Sequence, residues 1–85
     1  MSEPDHSTDA RVVVYTRPGC HLCDVALDVV ADVCADTGAT WKQVYISGND
    51  DLTRQFGDQV PVTYVDGAQH DFWRVDPERL RRALA

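Results

Sequence analysis

The sequence predicts an α/β domain: a four-stranded mixed sheet with helices on its faces, in the order β-α-β-α-β-β-α. Two observations carry that reading. The first is a β-branched apolar run, RVVVYT (11–16), followed by an amphipathic stretch from Leu22 and a second strand-like run at 40–46. A strand, helix, strand unit pairs its strands in parallel through a right-handed crossover. The second is Asp66-Gly67, the strongest hairpin signal in the chain, which adds an antiparallel pair.

Each element follows from local chemistry. RVVVYT is apolar at almost every position, which predicts a strand buried on both faces. Pro18-Gly19 then breaks it. Leu22, Val25, Ala26, Val29, Val30 and Val33 recur at three- and four-residue spacing, with Asp24, Asp28, Asp32 and Asp36 between them. This spacing predicts a helix of about four turns that stops near Gly38. TWKQVYI (40–46) is the second strand. Ser47 or Asn49 caps a short helix over about 50–56, closed by Gly57. VPVTYV (60–65) is the third strand, with Pro61 at its start because proline cannot donate to a ladder. A fourth strand covers about 69–74. Asp76 caps the last helix, and Pro77 sits in its first turn. Residues 1–10 are polar and acidic and read as a disordered tail, leaving residues 11–85 as the domain.

Eighty-five residues allow one domain. No apolar run approaches the roughly 18 residues of a membrane span. The N-terminus lacks the basic start and apolar stretch of a secretory signal, so the expected compartment is the cytoplasm. The net charge of −6 argues against nucleic acid and anionic membranes as partners. Arg74, Arg79, Arg81 and Arg82 are the local exception and read as a solvated helix face. Three cysteines do not make a secreted disulfide framework, and in the cytosol a close pair points to catalysis or metal binding.

Cys20 and Cys23 stand three apart in RPGCHLCDVA, where a strand hands over to a helix. Parallel sheets place their reaction sites at such strand ends. Cys20 falls at the helix N-cap, where free backbone N–H groups and the helix dipole favour an anion by about 0.3–1 kcal/mol. Arg17 adds a nearby positive charge. Cys20 is therefore expected to carry more thiolate than a free cysteine, and the thiolate is the nucleophile. Cys23, one turn on and beside the apolar stripe, is less exposed and within disulfide reach. A zinc site needs four ligands. Cys34 lies eleven helix positions beyond Cys23, about 16 Å at 1.5 Å per residue, so it joins neither a metal site nor a disulfide with the pair. His6 lies in the tail, and His21 inside the motif is poorly placed to join both thiolates.

The sequence of VVVYT, RPGCHLC opening a helix, Val60-Pro61 before a strand, Asp66-Gly67 and FWRVDPERLRRAL resembles the glutaredoxin branch of the thioredoxin fold. The resemblance covers residues 11–84 and implies a three-layer thioredoxin-like fold. It implies a dithiol–disulfide oxidoreductase, with Cys20 as nucleophile and Cys23 as resolving thiol. Oxidation would leave a redox-active Cys20–Cys23 disulfide. Arg17 matches a basic residue that helps hold a thiolate or a substrate carboxylate. Pro61 matches a proline preceded by a cis peptide bond, which turns the Val60 N–H and C=O toward the thiols to pair with a substrate strand. Asp76 matches a carboxylate at the start of the last helix. One departure is evident: glutathione-binding members carry two glycines where this chain has bulky Trp73 and Arg74, which leaves the thiol partner open.

Trp73 either rims the active site or packs an edge strand. His21 either steadies the thiolate or is an exposed spacer. Trp41 and Phe72 read as packing residues, as does Tyr15, which alternatively contacts substrate. Cys34 reads as a small buried residue and His70 as surface. The expected protein is a monomer that needs no bound cofactor. It acts on protein disulfides or mixed disulfides, and a low-molecular-weight thiol or a thiol reductase restores it. The alternatives are a metal or iron–sulfur cluster shared between two chains through Cys20, and a non-catalytic adaptor using the Val60–Pro61 edge.

Overall fold

The computed structural model describes residues 10–85, so the expected disordered tail lies, but for Ala10, outside the described residues. The elements are β1 (Val12–Thr16), α1 (His21–Thr37), β2 (Trp41–Tyr45), α2 (Asp50–Phe56), β3 (Val62–Val65), β4 (Ala68–Phe72) and α3 (Pro77–Leu84). The sheet runs β2-β1-β3-β4. β1 and β2 pair in parallel, Val12 opposite Trp41. β1–β3 and β3–β4 are antiparallel, as the crossover and the hairpin require.

Side chains alternate across a strand, so β1 serves two cores. Val12 and Val14 pack with Ala26, Val30 and Val33 of α1 and with Leu80 and Leu84 of α3. On the opposite face Tyr15 packs against a second cluster that includes Val62 of β3 and Phe56 of α2. The domain therefore has three layers, with α1 and α3 on one face and α2 on the other. β1 is not buried on both faces as expected: Val13 and Tyr15 are only half-buried. Seven residues of α2 span about 10 Å, too short to cover a five-residue strand of about 16 Å.

The buried stripe of α1 also differs from the expected one. Cys23, Ala26, Val30, Val33 and Cys34 are buried, whereas Leu22 is 44% and Val25 48% exposed. The helix turns the two cysteines inward and leaves two large aliphatics beside the solvent. It ends at Gly38, whose left-handed φ of 78° lets its N–H close on Cys34 O at 2.8 Å.

β4 ends at Phe72, short of the expected Arg74, because the chain turns at Trp73. Trp41 and Phe72 are not core residues: both sit largely exposed on edge strands. His70 is not simply surface. It occupies an irregularity in the β3–β4 ladder, where Thr63 faces Asp71 and Tyr64 faces Gln69. Its Nε2 is buried without a partner among the described residues.

The C-terminal arginines do more than solvate a helix. Arg81 pairs with Asp36 of α1 at 2.8 Å and Arg79 with Asp71 of β4 at 3.2 Å, linking α3 to both elements. Arg11 grips Asp66 through two 2.9 Å bonds and also donates to Leu84 O at 3.1 Å. It thereby ties the start of β1 to the hairpin and to the end of α3. Those hydrogen bonds hold the Asp66 carboxyl below its ordinary value and raise the Arg11 guanidinium.

Candidate active site

Pro18 and Gly19 form the turn between β1 and α1, and Gly19 takes the left-handed φ of 74° that the turn requires. The turn delivers Cys20 in extended conformation (φ −97°) to the N-cap of α1. Cys20 Sγ accepts the Cys23 N–H at 3.2 Å, in the place an oxygen usually fills at a helix start. The two cysteines are bonded as a disulfide, with Cα atoms 5.2 Å apart. Cys20 is half-exposed and Cys23 is 2% exposed. Cys20 is thus the more accessible member of the pair.

The floor of the site is the smaller core. Cys23 is buried with Ile46, Phe56, Val60 and Val62, and Cys20, Tyr15 and Tyr64 pack against them. Tyr15 lies 4.9 Å from Phe56 and 5.5 Å from Tyr64 between ring centroids. Burial, with Tyr64 beside it, pushes the Tyr15 phenol above its ordinary value, so its hydroxyl stays protonated at neutral pH.

Val60 and Pro61 come to the same place, joined by a cis peptide bond. The structure corrects what each can offer. The Val60 N–H donates to Phe56 O at 3.1 Å, so a substrate strand pairing with that N–H would have to displace the bond. The end of α2 takes it because the chain folds back beneath that helix, with Gln59 N–H also on Phe56 O at 2.8 Å. Pro61 is fully buried and is a wall, not a contact surface. Arg17 reaches Gly57 O at 3.5 Å and bridges the motif loop to the end of α2. Asp76 caps α3, its Oδ1 accepting from Glu78 N–H at 2.9 Å and Arg79 N–H at 3.4 Å. His21 is the exposed first residue of α1.

Trp73 has a backbone role besides those expected of its side chain. Its φ is 64°, a left-handed conformation that non-glycine residues rarely hold. Its N–H donates to Pro61 O at 2.8 Å and its indole N–H to Asp58 O at 3.0 Å. Arg74 N–H closes on Phe72 O at 2.7 Å, making a tight three-residue turn around Trp73. The ring is 51% exposed and meets Phe72 edge-on at 5.2 Å. The sequence signal for this turn was the absent glycine pair: the backbone there requires a left-handed residue, and Trp73 supplies it.

Trp73, Arg74 and Val75 form one wall of a groove of about 240 Å³, and Leu22, Val25 and Val29 of α1 form the other. Cys34, by contrast, is 3% exposed; burial pushes its thiol up, against a weaker opposing pull from Arg11. Among the described residues no three His, Cys, Asp or Glu side chains converge as a metal site would need. No helix among them is long and apolar enough to cross a membrane.

The chain matches the family described as "Glutaredoxin-like domain (DUF836)" over residues 11–85. It belongs to that family. An uncharacterised protein of Mycobacterium tuberculosis is 32% identical over 80 residues, covering 88% of this chain and 82% of the relative. A crystal structure of a structural-genomics target protein from X. campestris is 34% identical with a TM-score of 0.72, covering 86% of this chain and 93% of that one. A point mutant of thioredoxin from Halobacterium salinarum, 24% identical, shares the fold with a TM-score of 0.63 over 94% of this chain and 77% of its own. This glutaredoxin-like chain thus has the thioredoxin-like α/β architecture, with a cysteine pair at disulfide distance where α1 begins.

Proposed function

We propose that this glutaredoxin-like protein is a dithiol–disulfide oxidoreductase acting on protein disulfides or mixed disulfides. The observation that carries the reading is the N-cap position of Cys20, whose sulfur accepts the Cys23 N–H; Cys20 is half-exposed and Cys23 buried. A hydrogen bond to sulfur and the helix dipole both favour the thiolate once the disulfide is reduced. Asp24, in the same first turn, works against them.

The reaction runs in two exchanges. The Cys20 thiolate attacks one sulfur of the substrate disulfide. An S–S bond forms between Cys20 and the substrate, and the other substrate sulfur leaves as a thiolate that takes up a proton. Cys23, having lost its proton to solvent, then attacks Cys20 Sγ and releases the second substrate thiol. The substrate gains two electrons, and the pair is left as the Cys20–Cys23 disulfide. A low-molecular-weight thiol or a thiol reductase returns two electrons and completes the cycle. Burial of Cys23 confines the first attack to Cys20. The cytoplasm, where such reductants abound, is the compartment this chemistry suits.

Alkylation of the reduced protein across pH tests the reading, with Cys23→Ser to isolate the first thiol. Cys20 is expected to react with a midpoint well below the roughly 8.5 of a free cysteine, and the native pair to close on mild oxidation. A midpoint at or above that value, together with no intramolecular disulfide on oxidation, would sink the proposal.

A further inference from the structure

The sheet has two edges, β2 and β4. Edge strands present unpaired backbone groups, and proteins usually blunt them against pairing with another chain. β4 is blunted: its ladder breaks at His70, and the chain turns away at Trp73. β2 is not. It pairs with β1 without a break from Trp41 to Tyr45, holds no proline and carries one charge, Lys42. Two large rings stand in the open on it, Trp41 at 37% and Tyr45 at 57% exposure. By alternation they share a face with Gln43, whose side-chain amide donates to Thr16 Oγ1 at 2.8 Å.

The bonds to β1 show which backbone groups of β2 face outward. Val12 N–H donates to Thr40 O at 3.1 Å, and Ile46 N–H donates to Thr16 O at 2.8 Å. Backbone groups alternate in direction along a strand, so positions 40, 42, 44 and 46 face β1, while Trp41, Gln43 and Tyr45 aim their N–H and C=O away from it. An antiparallel partner takes up such groups in opposed residue pairs that exchange both bonds. For β2 paired with β2 of a second copy, one register uses every outward group. With Gln43 opposite Gln43, Trp41 falls opposite Tyr45 and Tyr45 opposite Trp41, and each of these pairs exchanges two bonds. The same register makes two Trp–Tyr cross-strand pairs, a combination that stabilises sheets. Lys42 falls opposite Val44, so no like charges are directly opposed.

We infer that β2 is a self-association edge. It takes β2 of a second copy of this chain in antiparallel register about Gln43, which joins the two sheets into one of eight strands. The two rings expose about 200 Å² per copy, taking roughly 200–250 Å² for a whole aromatic side chain. Even with the flanking backbone the contact lies below the roughly 1,200 Å² of stable complexes, so the dimer is weak and the expected monomer is its dilute form. Cys20 follows the end of β1, which runs parallel to β2. The two-fold axis therefore sends the two cysteine pairs to opposite ends of the joined sheet, and association leaves both open. A net charge of −6 on each copy opposes the encounter, so added salt tightens it, the reverse of an ion-paired interface.

The test uses the full chain in its disulfide form, which leaves buried Cys34 as its one thiol and so prevents cross-linking through Cys20. Sedimentation from about 20 μM to about 2 mM brackets a Kd in the submillimolar range. The average mass should rise with concentration from that of one chain toward that of two. In NMR spectra over the same range the amides of Trp41, Gln43 and Tyr45 should shift together and gain protection from exchange. Raising salt from about 0.05 to about 0.5 M should tighten association by about 3-fold. Gln43→Pro should abolish it while keeping the β1 ladder, because the lost N–H is one that faces outward. Tyr45→Lys, at an exposed side chain, should weaken association by about 10-fold and serves as the second variant should Gln43→Pro unfold. A chain that stays monomeric to about 2 mM would overturn the inference, as would association with shifts confined to other surfaces, or association that Tyr45→Lys leaves unchanged. Shifts along β2 on adding an unrelated extended peptide, with none on raising the protein concentration, would give the edge to a different chain and overturn it too.

Discussion

Trp73 poses a question that stability measurements answer cleanly. Its side chain contributes packing while its backbone costs energy. Half of the side chain is covered, about 120 Å² of a tryptophan's roughly 250 Å², worth about 3 kcal/mol at about 25 cal/mol per Å². The indole bond to Asp58 O adds a net ~0.5–1.5 kcal/mol. Against this, holding a non-glycine residue at φ 64° costs about 1–2 kcal/mol. Trp73→Ala removes the ring and its hydrogen bond and keeps the cost, so the loss should be about 3.5–4.5 kcal/mol, an upper figure because the unfolded chain also buries some of the ring. Trp73→Gly removes the ring and most of the backbone cost. Glycine's greater freedom in the unfolded chain returns part of that gain. The glycine variant should therefore be the more stable of the two, by about 1 kcal/mol. Urea unfolding of the oxidised protein, followed by far-UV circular dichroism, measures both differences at a common slope. An alanine variant as stable as the glycine variant would refute the left-handed backbone at residue 73. Both variants within about 0.5 kcal/mol of the parent would refute the packing of its ring.

Three further outcomes follow from the same structure. Leu80, fully buried where α3 meets the sheet, should cost about 2–5 kcal/mol on substitution by alanine, lowering the midpoint of a calorimetric melt by about 10 °C or more. Cys34 should react with a bulky thiol reagent far more slowly than Cys20 in the reduced native protein, because burial both shields it and pushes its thiol up; comparable rates would contradict the burial. Asp66 has a folded pKa below its unfolded value, so the stability it contributes is fully present above about pH 4 and is lost as the pH falls through the folded value. Thermal melts from pH 6 to pH 2.5 should show the gap between the parent and Asp66→Asn narrowing below about pH 4, and a constant gap would remove Asp66 from the acid limb.

The sheet order was legible because its two causes are local: a crossover helix dictates a parallel pair, and Asp66-Gly67 dictates a hairpin. The position of Cys20 at the start of α1 was legible for the same reason, since Pro18-Gly19 ends one element next to the next. What the sequence concealed was rotation and reach. Periodicity placed Leu22 and Val25 on the apolar stripe of α1, but burying Cys23 and Cys34 turns the helix until those two face out. Apolarity placed β1 between two helical layers, but α2 is too short to finish the second one. Arg17 and Val60 were expected to serve the thiols. Both also bond to the end of α2, to carbonyls of Gly57 and Phe56 that no sequence pattern announces.

These displacements converge on one stretch of chain. Phe56 O holds the Val60 N–H, Pro61 O holds the Trp73 N–H, and Asp58 O holds the Trp73 indole. The segment beside the cysteines is thus pinned from α2 on one side and from the Trp73 turn on the other. A glycine at residue 73 would take the same backbone conformation with less strain, so the strain is not what the fold requires there. What the tryptophan adds is a second anchor on Asp58 and a rigid wall facing Val25. Backbone strain persists where surrounding structure fixes it, and it gathers at sites of use. Here it coincides with the wall of the groove that Trp73 shares with Leu22, Val25 and Val29 of α1.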